Sequence, residues 1–129
     1  FDNMGIQHKL SDFKGNFILL DFTKEFCEPC EKAIKELKII NQNYSHEIKI
    51  ISFSGEKSQA FWKKGIVRNA IQWLSLWDGN GATGKTLMKY DVRGFPKFFL
   101  INKDGKIIEI IDGYSEGILE NKIEKLLKD

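Results

Sequence analysis

Two cysteines separated by a glutamate and a proline, Cys27-Glu28-Pro29-Cys30, constrain this chain most. They are its only cysteines, and they follow closely on the apolar run Phe17–Phe22. A short apolar run bounded by polar residues reads as a buried strand. Pro29 lacks an amide hydrogen and has a fixed φ, which suits the first position of a helix, and Ala33, Ile34, Leu37 and Ile40 carry a helical apolar period behind it. The spacing predicts a strand that delivers Cys27 to the mouth of a helix running from Pro29 to about Tyr44, with Cys30 one turn inside.

That placement has chemical consequences. Unpaired backbone N–H groups and the positive end of the helix dipole favour a thiolate at Cys27, lowering its pKa below the ordinary ~8.5 and preparing it to attack a disulfide sulfur. Cys30, more sheltered, is the natural resolving thiol. Glu28 sets a negative charge beside both and opposes the dipole, so the couple is expected to be reducing rather than strongly oxidising. Three other uses of the pair compete with this one. A structural disulfide across so short a loop gains only about 2 kcal/mol in the chain-entropy model. A zinc site needs four ligands, and only His8 and His46 could join the cysteines, far apart in the sequence. Two buried, inert cysteines are the third alternative, and a proline at the helix opening argues against them.

Beyond this motif, the segments Leu10–Gly15, Phe17–Phe22, Cys27–Cys30, Tyr90–Pro96 and Phe98–Lys106 occur in an order and spacing that resembles the thioredoxin-like superfamily, specifically its TlpA/ResA branch of extracytoplasmic thiol-disulfide oxidoreductases. The resemblance implies an α/β thioredoxin-like fold: a central mixed β-sheet flanked by helices, with an N-terminal extension and a helical insert, forming a single domain over residues 1–129. It also implies a cis proline at Pro96 facing the cysteines, where Phe26, Glu28, Pro29, Phe95 and Pro96 would contact an extended polypeptide substrate. The chain departs from the family pattern at two places. Phe26 stands where a tryptophan is usual before the first cysteine, and Ala33 stands where ResA-like members carry a glutamate. Asp21 matches the buried aspartate of thioredoxins and is expected to relay a proton to and from Cys30.

The activity implied by the resemblance is reduction of disulfides in proteins outside the cytoplasm. It would be carried out by a monomer that needs no cofactor or metal and is recharged by an upstream thiol donor. Apocytochrome c thiols, misbridged secreted proteins and a dedicated partner domain all fit as substrates. The rival function is a non-catalytic thioredoxin-like interaction module, which would hold its partners equally well with both cysteines replaced by serine. A peroxidase would want a T-x-x-C motif, and Lys24 occupies the threonine position.

Composition bounds these readings. A chain of 129 residues with 42% hydrophobic content can build one real core. The net charge of +2 is mild, and apart from Arg68 and Arg93 the basic residues are all lysines scattered among acids, which argues against nucleic acid as a partner. No apolar run approaches the ~18 to 20 residues of a membrane span, so membrane association would come only through an anchor upstream of Phe1.

Pattern along the chain predicts a short edge strand over Gln7–Leu10 after a turn at Met4-Gly5, then strands over Phe17–Phe22 and Ile48–Phe53. A helix over Ser58–Gly65, a connector over Ala70–Leu74 and a brief helix near Thr83–Tyr90 follow. Phe98–Ile101 and Ile107–Ile111 flank the turn signal Asn102–Gly105 and should pair antiparallel. A terminal helix spans Ser115–Leu127. Trp62, Trp73 and Trp77 fall in the inserted region and are expected to pack inside. Gly79–Thr86 matches the phosphate-binding pattern G-x-x-x-x-G-K-[ST], but the helix behind it has room for only about two turns, so no nucleotide is expected.

Overall fold

The structure, a computed structural model, describes residues 1–128. Its strands are β1 (Phe17–Thr23), β2 (Ile48–Ser54), β3 (Leu74–Trp77), β4 (Lys97–Ile101) and β5 (Ile107–Asp112). Its helices are α1 (Glu28–Tyr44), α2 (Gln59–Arg68), α3 (Lys85–Lys89) and α4 (Ile118–Lys128). The strands form one sheet in the order β3-β2-β1-β4-β5. β1 runs parallel to β2 and β2 to β3, while β4 is antiparallel to both β1 and β5. This is a mixed sheet with β1 at its centre, so the strand leading to Cys27 is held by hydrogen bonds on both sides.

Side chains alternate across the pleat and build two cores. Leu19, Ile48, Ile50, Phe98 and Leu100 meet Ala33, Leu37 and Ile40 of α1 and Leu119 and Ile123 of α4 on one face. Ile18, Leu20, Phe22, Ile51, Phe53 and Phe99 pack on the other face under Leu87 and Val92. A single carboxylate joins the two helices of the first face. Glu36 of α1 is buried and accepts the Tyr114 hydroxyl and the Gly117 amide on Oε1, and the amides of Leu119 and Glu120 on Oε2, at 2.6 to 2.9 Å. Those amides open α4, where no intrahelical acceptor exists, so Glu36 caps one helix from the flank of another.

Two expectations need correction. Gln7–Leu10 is not an edge strand: residues 7–9 carry no ladder, and Leu10–Phe13 is a 3-10 helix. Local carboxylates fix this segment instead, one holding the turn before it and another taking an amide within it. Asp2 accepts the N–H groups of Met4 and Ile6, and Asp12 accepts that of Lys9. Nor is the insert purely helical, because Leu74–Trp77 forms β3 and extends the sheet beside β2. Four residues are too few for a period to show in sequence, and the strand exists because β2 presents an open edge to it.

All three tryptophans satisfy their indole N–H groups. Trp62 donates to Ser75 Oγ, Trp73 to Ser52 Oγ and Trp77 to the Glu56 carbonyl. In the Gly79–Thr86 segment, backbone amides are used internally: Asn80 N–H donates to Asp78 Oδ1 and Gly84 N–H to the Gly81 carbonyl. The Asp78 carboxylate lies against Gly84, putting negative charge where a phosphate would need to sit.

Candidate active site

Cys27 is the N-cap residue of α1 with extended backbone, and Pro29 lies in the first turn. Cys27 and Cys30 are joined as a disulfide with Cα atoms 5.2 Å apart. The backbone N–H of Cys30 donates to Sγ of Cys27 at 3.2 Å. In this arrangement an orphan amide of the helix N-terminus points at the outer sulfur. Cys27 is half-buried, whereas Cys30 is 2% exposed. Any reagent from solvent therefore meets Cys27 first.

Opposite the sulfurs lies the turn before β4. The Phe95–Pro96 bond is cis, and the Phe95 carbonyl oxygen sits 3.8 Å from Cys27 Sγ. The Phe95 ring turns inward and seats against Gly55, where a Cβ atom would collide with it. Phe95 thus offers its backbone, not its ring, to the site. Pro96 is fully buried, while Glu28 and Pro29 are exposed at the helix mouth.

Asp21 lies beneath the disulfide on β1. It is 2% exposed, and Ser52 Oγ, its register partner on β2, donates to Oδ2 at 2.9 Å. Burial pushes the Asp21 carboxyl up to about 7, only partly offset by the Ser52 hydrogen bond. Asp21, Cys30 and Ser52 line a cavity of about 30 Å³ whose rim carries Glu25 and Arg68. That is enough room for a water molecule. A carboxyl that titrates near neutrality beside a sheltered thiol can exchange a proton with it at physiological pH.

Charged side chains surround the helix mouth. Arg68 of α2 bonds Glu25 Oε2 at 2.7 Å and Glu31 Oε1 at 3.0 Å, and Lys32 pairs with Glu28 at 3.3 Å. Burial, together with the neighbouring Glu56 and Glu31, raises the Glu25 carboxyl against the opposing pull of Arg68. The Glu25 amide donates to Oε1 of Glu56 at 3.0 Å. The structure thus brings together Asp21, Phe26, Cys27, Glu28, Pro29, Cys30, Phe95 and Pro96. It adds Ser52, Glu25 and Arg68, which sequence pattern did not single out. Ser52 depends on the parallel register of β1 and β2, and Arg68 on the docking of α2, neither of which leaves a local signal. Ala33, where ResA-like proteins carry a glutamate, is buried in the core instead.

Comparison with known proteins matches this geometry. Residues 15–107 fit the family model described as thioredoxin-like. The chain is 30% identical over 128 residues to the thiol-disulfide oxidoreductase ResA of Bacillus thuringiensis subsp. konkukian, covering 98% of this chain and 70% of that protein. It superposes on the thioredoxin domain of a thiol-disulfide oxidoreductase from Bacteroides vulgatus with a TM-score of 0.84 at 28% identity, covering 97% of this chain and 89% of the other. A thiol:disulfide interchange protein from Bacteroides sp. gives a TM-score of 0.80 at 28% identity over 99% of this chain and 84% of its own.

Proposed function

Because the chain belongs to the thioredoxin-like family, among thiol-disulfide oxidoreductases of the ResA type, we propose that it works as a dithiol reductant of polypeptide disulfides, with Cys27 attacking and Cys30 resolving. The carrying observation is the asymmetry of the pair: Cys27 faces the surface and receives the Cys30 amide, while Cys30 is shut inside. In the reduced protein, the Cys27 thiolate attacks one sulfur of the substrate disulfide, and the other sulfur leaves as a thiolate and takes a proton from solvent. Cys30 gives its proton to Asp21 and attacks Sγ of Cys27. The second substrate sulfur is released, and the Cys27–Cys30 disulfide remains. Two electrons pass to the substrate in each turnover.

An upstream thiol donor must then reduce the pair, and Asp21 returns its proton. The substrate backbone lies along the Phe95 carbonyl and Pro96, with Phe26, Glu28 and Pro29 forming the near wall. The chain acts as a single monomeric domain outside the cytoplasm, a location that rests on its likeness to the extracytoplasmic branch of the family. Among the described residues no helix is long and apolar enough to cross a membrane.

The test is trapping. A Cys30→Ser variant cannot resolve and should accumulate mixed disulfides through Cys27 when exposed to host proteins, while a Cys27→Ser variant should not. Equal capture of partners by the variant lacking both thiols would favour a binding module instead.

A further inference from the structure

We propose that Phe61 of α2, together with Phe26, forms an apolar subsite that selects polypeptide substrates carrying a bulky apolar side chain beside the target cysteine. The proposal deepens the exchange reading above and rests on it. Phe26 immediately precedes Cys27, yet it is 78% exposed, and its backbone is held at φ 56. For a bulky residue the left-handed region is strained. A ring that stays in water cannot offset that strain by burial. What the strain achieves is position: the ring is held out in water one residue from the reactive cysteine. Phe61 is itself 45% exposed and meets Phe26 edge to face, with centroids 5.8 Å apart and planes at 85°. Two water-facing aromatic rings thus meet at the residue next to the reactive cysteine.

The second ring is fixed by rigid elements. Phe61, Gly65 and Arg68 recur at i, i+4 and i+7 and so share one stripe of α2. Glycine inside a helix is destabilising relative to alanine, but here a Cβ atom would collide with the Glu25 carboxylate. Arg68 then ties that carboxylate and Glu31 of α1 to the same stripe. The stripe docks along the loop and helix that carry the cysteines, and Phe61 stands where it meets Phe26.

The occupant is an extended polypeptide because the subsite adjoins the exchange site: Phe26 is bonded to Cys27, whose Sγ lies 3.8 Å from the Phe95 carbonyl oxygen. Its contacting side chain is apolar because the rings offer edges and faces with no hydrogen-bonding group. Glu25, whose carboxylate packs against Gly65 of the stripe, is engaged by Arg68.

The test uses peptide disulfides identical except for the residue next to one cysteine, which is leucine, serine or lysine, with kcat/KM measured for the reduced wild type, Phe61→Ser and Phe61→Leu. The wild type should prefer the leucine peptide over the serine peptide by about tenfold, the scale of one or two buried methylene groups. Phe61→Ser should reduce that ratio to about threefold or less, and Phe61→Leu should restore most of it. Equal loss toward all three peptides would make Phe61 merely structural and overturn the proposal. So would an unchanged ratio, or a preference for the lysine peptide, which would mark a cation–π site instead. Inertness of the reduced wild type toward bis(2-hydroxyethyl) disulfide would show separately that the exchange reading had failed, and the subsite would fall with it.

Discussion

The Cys30 amide and Cys27 Sγ are 3.2 Å apart, so the helix N-terminus is aimed at one sulfur of the pair and not the other. Brief alkylation of the reduced protein with a limiting reagent should label Cys27 well ahead of Cys30, as peptide mapping would show. Equal labelling would contradict the assigned roles.

The charges at the helix mouth bear on the redox potential. Among the described residues Glu25, Glu28 and Glu31 pair with just two cations, Arg68 and Lys32, and the surplus negative charge disfavours a thiolate and the reduced state that carries it. The Cys27–Cys30 couple should titrate as one two-electron step at a potential well below about −120 mV, where the strong oxidants of this chemistry lie. Glu28→Gln should shift it in the oxidising direction. A wild-type value near −120 mV would refute the charge argument.

Asp21 makes a pH-dependent contribution to stability. Its carboxyl is pushed from 3.8 to about 7 by burial, so between those values the folded state keeps a proton that the unfolded state has lost. The contribution is fully present below about 4, falls as pH rises and is gone above about 7. At 1.36 kcal/mol per pKa unit the decline amounts to at most roughly 4 kcal/mol. Asp21→Asn should abolish that slope in urea unfolding and be more stable than wild type at pH 8. In stopped-flow measurements it should also slow the Cys30 step near neutral pH while sparing attack by Cys27.

Glu36 should be costly to remove. Glu36→Ala leaves three amides and the Tyr114 hydroxyl without their acceptor, and a loss of roughly 2 to 4 kcal/mol in urea unfolding is expected. Glu36→Gln keeps an acceptor oxygen and should lose less. Hydrogen exchange should rise first at residues 117–120, ahead of the strands.

How far the sequence reveals this site depends on how local each signal is. Cys27, Pro29 and Cys30 are legible because strand, proline and helix period are contiguous, and Asp21 because it lies on the same strand. Pro96 is legible through its ordered neighbours, Tyr90–Pro96 and Phe98–Lys106. Ser52 was hidden because a serine in an apolar strand means nothing until parallel register sets it beside Asp21. Phe61 and Arg68 were hidden because α2 reads as an ordinary surface helix until it docks on the cysteine loop. Glu36 looked like one more charge on α1, since its partners lie in α4 and the loop before it. At the N-terminus the pattern suggests a strand that does not form, because Asp12 takes the Lys9 amide and Asp2 ties up the turn before it.

Trp73 completes a short chain with Ser52 and Asp21. Its indole N–H donates to one lone pair of Ser52 Oγ at 2.8 Å, and the serine hydrogen is directed at the Asp21 carboxylate. Any change in the charge of that carboxylate is felt by an aromatic dipole two hydrogen bonds away. The protein therefore carries an intrinsic optical gauge of its buried proton, whose emission should drift with a midpoint near pH 7 and flatten when Asp21 is replaced by asparagine.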